Sequence, residues 1–238
     1  MLDLREGLRR AERHLSELRS VFSSYKHIST FKTVREEQPL HGRVVIRLYS
    51  PLASIELALI LGDFIYNTRS ALDRLAWDLS RLTTPVPPEQ VMFPIHKRLE
   101  DMGAFNKKVQ GIPSAAVAEI RRLQPDRLGD EFHQDPLWQL NSLSNIAKHR
   151  TFAVGASEVS AYIQPGGYTQ RVLSDCIEYA WPIGLKDDAR VVGLSMSFLF
   201  GKPVEFPGDD FEITEDQLIE MHRYVRDDVA PRFEQFFA

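Results

Sequence analysis

The chain has 238 residues, of which 43% are hydrophobic and 26% charged, and its formal net charge is −4. This composition belongs to a globular protein with a sizeable core and excludes a disordered or low-complexity chain. The mild acidity supplies no general attraction for nucleic acid, and the lone Cys176 excludes a disulfide framework and a cysteine-built metal site.

Charge is distributed unevenly. Residues 1–35 carry eight Lys/Arg against four acids, whereas residues 205–238 carry ten acids against three Arg. The two ends are therefore expected to meet, within one chain or between two. The opening MLDLREGLRR has no apolar signal region, and the apolar run Leu57–Leu61 is far shorter than the roughly 20 residues of a membrane span. A cytoplasmic protein without a membrane partner is expected.

In chain order, residues 2–26 read as an amphipathic helix. Leu4, Leu8, Ala11, Leu15, Leu18, Phe22 and Tyr25 recur at alternating spacings of four and three. His14 follows Arg9 by five residues on the solvated flank of that seam. Residues 28–34 and 43–49 read as strands joined by a turn through Pro39 and Gly42. Val44, Ile46 and Leu48 share one face of the second strand.

Residues 52–82 follow as the longest helix. Leu61, Ile65, Thr68, Leu72, Leu75, Ala76 and Leu79 form a stripe wide enough for the middle of a bundle. The opposite face carries Asp63, Asn67, Ser70, Arg74, Asp78 and Arg81. Arg69 and Asp73 lie on the flank four residues apart, with arginine first, the weaker order for an isolated helix pair. Each is therefore expected to reach another helix as well. Thr83-Thr84-Pro85 ends this helix, and residues 83–95 read as a proline-rich linker.

Short helices are expected over 99–109 and 114–123, the second with Ser114 as N-cap, followed by a polar loop over 125–135. Residues 136–150 form another helix, with Pro136 in its first turn. Asn141, Asn145 and His149 stack on one face with Lys148 beside them. Asparagine is a mediocre helix former, so its repetition points to a hydrogen-bonding role. Strands are expected at 151–163, 171–181 and 190–200; the last alternates cleanly, with Val192, Leu194, Met196, Phe198 and Phe200 on one face. Residues 214–237 close the chain as a helix with a Thr214/Gln217 capping box, which Pro231 should kink or shorten. Phe236 and Phe237 are candidates for packing on a partner subunit. The fold class expected is α+β, one domain over 1–238, with a helical bundle packed on an antiparallel β-sheet.

The blocks GDFIYNTRSALDRLAWDLSR (62–81), Phe93-Pro94-Ile95 and PLWQLNSLSNIAKHR (136–150) resemble the hallmark of a family of uncharacterised bacterial proteins common in actinobacteria. Gly62, Asp63, Asn67, Arg69, Ser70, Ala71, Leu72 and Asp73 match its first block, and Asn145, Lys148, His149 and Arg150 its third. The resemblance implies no particular activity. The first block is also similar to the active-site motif of HEPN ribonucleases, which are helical bundles, commonly dimeric, of toxin and phage-defence systems. At the last motif position this chain has Arg74 where that motif has histidine, so cleavage by that route would need His149 to substitute.

Three functions follow as expectations. The leading one is a non-enzymatic scaffold or binding protein, in which Asp63, Asn67, Arg69 and Asp73 form a polar network with Asn141, Asn145 and His149. In the second, a metal-independent ribonuclease, His149 is the general acid or base and Arg69, Lys148 and Arg150 stabilise phosphate charge. The third is a small-ligand-binding module. No cofactor or metal is expected, because the chain has no glycine-rich phosphate loop, no zinc-type ligand spacing and no nucleophile elbow. The partners expected are a second copy of the chain and, for the ribonuclease reading, RNA.

Overall fold

The computed structural model describes residues 2–25, 32–38, 43–49, 55–97, 102–149, 153–164, 169–172, 176–182, 190–201 and 212–237. Its helices are α1 (Leu2–Tyr25), α2 (Ile55–Arg81), α3 (Met102–Lys108), α4 (Ser114–Arg122), α5 (Pro136–His149), α6 (Glu215–Arg223) and α7 (Ala230–Glu234). Its strands are β1 (Lys32–Gln38), β2 (Arg43–Tyr49), β3 (Ala153–Gln164), β4 (Thr169–Val172), β5 (Cys176–Pro182), β6 (Arg190–Gly201) and β7 (Glu212–Thr214).

The core is a bundle in which α2 packs against α1 and α5, and α6 packs against α1 and α5. The expected stripe of α2, from Leu61 through Leu79, is buried. The seam of α1 is buried from Leu4 to Phe22. Gly7 allows the closest approach of the two helices, since a Cβ there would stand 3.0 Å from the Ala71 Cβ.

The strands form two antiparallel sheets where one was expected: β1-β2-β5-β4 and β3-β6-β7. The expected strand 171–181 is split into β4 and β5, which pair with each other as a hairpin. The first strand lies at 32–38, four residues later than its expected start, and residues 28–31 and 39–42 fall outside the described residues. Ile46 of β2 joins the helical core, and Val45 on the opposite face is also buried, opposite the buried Ala180 of β5. The alternating face of β6 pairs with β3 and β7, while its side chains lie outside the described residues.

Several local features differ from expectation for identifiable reasons. Residues 125–134 form a 3-10 helix broken at Gly129, where φ is +57°. Ser114 is the first helical residue of α4 rather than its cap; Pro113 precedes it and accepts the Val117 N–H. Thr214 and Gln217 do form the capping box of α6. Pro231 does not end the C-terminal helix. A π-helical stretch, Tyr224–Val229, widens the coil just before it, and Ala230 N–H reaches back to Val225. That widening accommodates a proline that lacks a donor and crowds the preceding turn. Phe236 and Phe237 are half-buried against this chain's own core.

The opposite charges of the two ends meet within the chain. Arg5 pairs with Glu234 at 2.7 Å, Arg19 with Glu215 at 3.2 Å, and Arg226 with Glu12 at 3.1 Å. All but the Glu215 carboxylate are substantially exposed, so each pair adds at most about 1 kcal/mol. Between them lies the buried His222, whose Nε2–H donates to the Leu8 carbonyl at 3.0 Å and ties α6 to α1. Burial holds the His222 imidazole below its ordinary pKa, against the opposing pull of the Leu8 carbonyl. The unfolded chain therefore binds this proton more readily than the folded one. Stability from neutral His222 is fully present above about pH 6.5, the unperturbed value, and is lost as pH falls below it towards the lower folded value. Chemical denaturation at pH 7.5 and 5.5 is expected to show a larger loss for the wild type than for His222→Gln, which keeps a donor but cannot titrate. Equal losses would rule out His222 as the source.

Candidate functional site

Arg69 and Asp73 sit one turn apart where the flank of α2 meets residues 91–96. The expected pair forms, with Arg69 Nη2 3.1 Å from Asp73 Oδ1. Both side chains also reach one backbone unit. Arg69 Nη2 donates to the Phe93 carbonyl at 2.8 Å, and Phe93 N–H donates to Asp73 Oδ1 at 3.0 Å. The helix thus offers Phe93 one donor and one acceptor, as a neighbouring strand would. A single turn spacing makes this geometry available, because residues four apart lie on the same face of a helix.

The next residues are held in the same manner. Gln124, fully buried at the end of α4, donates from Nε2 to the Pro94 carbonyl at 2.9 Å and accepts His96 N–H at 3.0 Å. Met92 N–H donates to the Lys108 carbonyl at 3.1 Å. Pro94 has no N–H to satisfy. Residues 91–96 therefore form a strap, several of whose polar backbone groups are met by Arg69 and Asp73 of α2, by Gln124 just past α4 and by the end of α3. The segment expected as a linker is pinned, with Val91, Phe93, Pro94 and Ile95 all buried. Gly111 closes the neighbouring turn at φ +78°, with Ser80 Oγ donating to Gln110 O at 2.9 Å.

The electrostatics follow from burial. Desolvation lowers the Arg69 pKa, and the Asp73 charge only partly offsets it. Desolvation raises the Asp73 pKa against the favourable Arg69 charge, the Phe93 N–H and the more distant Lys148 and Lys108. Lys108 is itself lowered, first by burial and then by Arg69. Arg69 remains charged throughout the accessible pH range. Its Nη1 is buried and has no hydrogen-bond partner among the described residues.

The other predicted residues are placed differently. Asn67 turns its amide back to the Asp63 carbonyl of its own helix at 2.8 Å, and Asp63 itself is exposed. On α5, Asn141 is half-buried, while Asn145 and Lys148 are exposed. Among the described residues, neither asparagine hydrogen-bonds to α2. Among the described residues, the side chains of Arg69 and Asp73 reach the strap outside their own helix, whereas the sequence pointed to α5. The His149 side chain and Arg150 lie outside the described residues. Arg9 and His14 each face a nearby glutamate on the exposed flank of α1, Glu6 and Glu17 respectively. Gln124 carries no sequence signal for this role, because Gln124-Pro125 reads only as a helix stop.

Beyond the Arg69–Asp73 pair, the outer face of α2 opens into a shallow groove of about 270 Å³, lined by Tyr66, Ser70, Asp73, Arg74, Trp77 and Val91. Among the described residues no group of three His, Cys, Asp or Glu converges, and no helix is long and apolar enough to cross a membrane. No family model, curated protein or solved structure matches the chain.

Proposed function

We propose that this chain is a non-enzymatic helical scaffold or binding protein, in which the Arg69–Asp73 pair is a structural clasp. The observation that carries this reading is the double engagement of Phe93 by the two side chains. A carboxylate that accepts a buried backbone N–H and pairs with an arginine is poorly placed to move protons. A guanidinium that is 8% exposed beneath the strap is poorly placed to receive a scissile phosphate.

The ribonuclease alternative draws on one observation, the electrostatic proximity of Lys148 and Lys108 to Asp73. Incubating the purified protein and its His149→Ala variant with labelled total RNA, without added metal, separates the two readings. Intact RNA with both proteins is expected. Cleavage by the wild type that vanishes in His149→Ala would overturn the scaffold reading.

A further inference from the structure

The outer face of α2 has no partner within the described chain, yet it does not look like a merely solvated surface. Leu59, Tyr66 and Trp77 recur at spacings of seven and eleven, and at 100° per residue they fall on one line along the helix. They are 62%, 66% and 38% exposed. Large apolar side chains aligned on an otherwise polar helix face mark an interaction surface, and tryptophan and tyrosine are the residues that most often anchor one.

The exposed charges beside this line are segregated, while Asp73 and Asp78 of the C-terminal half are half-buried. Asp63 lies towards the N-terminal half, and Arg74 and Arg81 towards the C-terminal half. Asp63 and Arg81 flank the apolar line on the same side. All three are exposed, and among the described residues none is in an ion pair. A face whose exposed charges are acidic at one end and basic at the other is complementary to itself turned end for end.

We propose that this face docks a second copy of the chain, with the two α2 helices antiparallel about a two-fold axis through the groove. The axis crosses α2 midway between Tyr66 and Trp77, which are three turns apart, about 16 Å. Tyr66 then lies opposite the Trp77 of the second copy, and the reverse, as a two-fold interface requires. The same register brings Asp63 within one residue of the position opposite the second copy's Arg81. Each tryptophan covers part of the other copy's groove, so both apolar lines leave water together. This inference rests on the outer face alone and stands apart from the role of the clasp.

Multi-angle light scattering and sedimentation velocity over a wide concentration range test it. The wild type should reach the mass of a dimer as concentration rises. Trp77→Glu and Tyr66→Glu should remain monomeric while keeping the wild-type circular dichroism spectrum and melting transition. Asp63→Arg and Arg81→Asp should each weaken the dimer by roughly tenfold, and the double exchange Asp63→Arg/Arg81→Asp should restore it, because the exchanged charges again face each other. A wild type that stays monomeric at every concentration overturns the proposal. So does a dimer that survives both aromatic substitutions, or one that the double exchange fails to restore.

Discussion

Phe93→Ala is expected to cost about 3–5 kcal/mol of stability, the range for emptying a buried aromatic site. The ring is fully buried and packs edge-on against Phe233 of α7, with centroids 6.3 Å apart and planes at 83°. Its backbone is fixed at both N–H and C=O, so the strap has little freedom to collapse into the space left. In a chain of this size the loss corresponds to a fall in melting temperature of roughly 8–15 °C. Differential scanning calorimetry with parallel urea denaturation measures it. A change below 1 kcal/mol would mean that the strap is not part of the cooperatively folded unit.

Arg69→Met is expected to cost about 2–3 kcal/mol. The methionine fills much the same space, but the Phe93 carbonyl loses its charged donor and Asp73 its counter-charge. Breaking a buried pair from one side costs about 3–5 kcal/mol where the remaining charge is fully buried. Asp73 keeps 37% of its side chain exposed, which relieves part of that cost. Asp73→Asn should be milder, since an amide oxygen still accepts from Phe93 N–H. The double variant Arg69→Met/Asp73→Leu should lose less than Arg69→Met and Asp73→Leu added together, because it leaves no unpaired charge behind. Additive losses, measured by urea denaturation of all variants, would show that the two side chains act independently and that the clasp is not a unit.

These two effects bear on function through the strap. If Arg69 serves to hold Phe93, its removal shows as lost stability. If it served chemistry at an open site, its removal would leave the melting transition nearly unchanged, since catalytic groups are seldom needed to hold a fold together.

The sequence alone determined which faces of the helices are buried. In α1, α2 and the C-terminal helix, apolar residues recur at spacings of three and four, and burial follows that period directly. It also determined the capping box at Thr214, a local matter of residues three apart, and the meeting of the basic N-terminal and acidic C-terminal regions. The Arg69–Asp73 pair was legible because both residues lie on one helix. What that pair holds depends on how the chain packs. Its partner is a backbone carbonyl and N–H at residue 93, groups that every residue but proline carries, so no residue type signals them. The same holds for Gln124, whose side chain meets backbone atoms at residues 94 and 96, about thirty positions away in the chain. Periodicity records which way a side chain points. What stands opposite it depends on how distant segments pack, and spacing along the chain does not encode that.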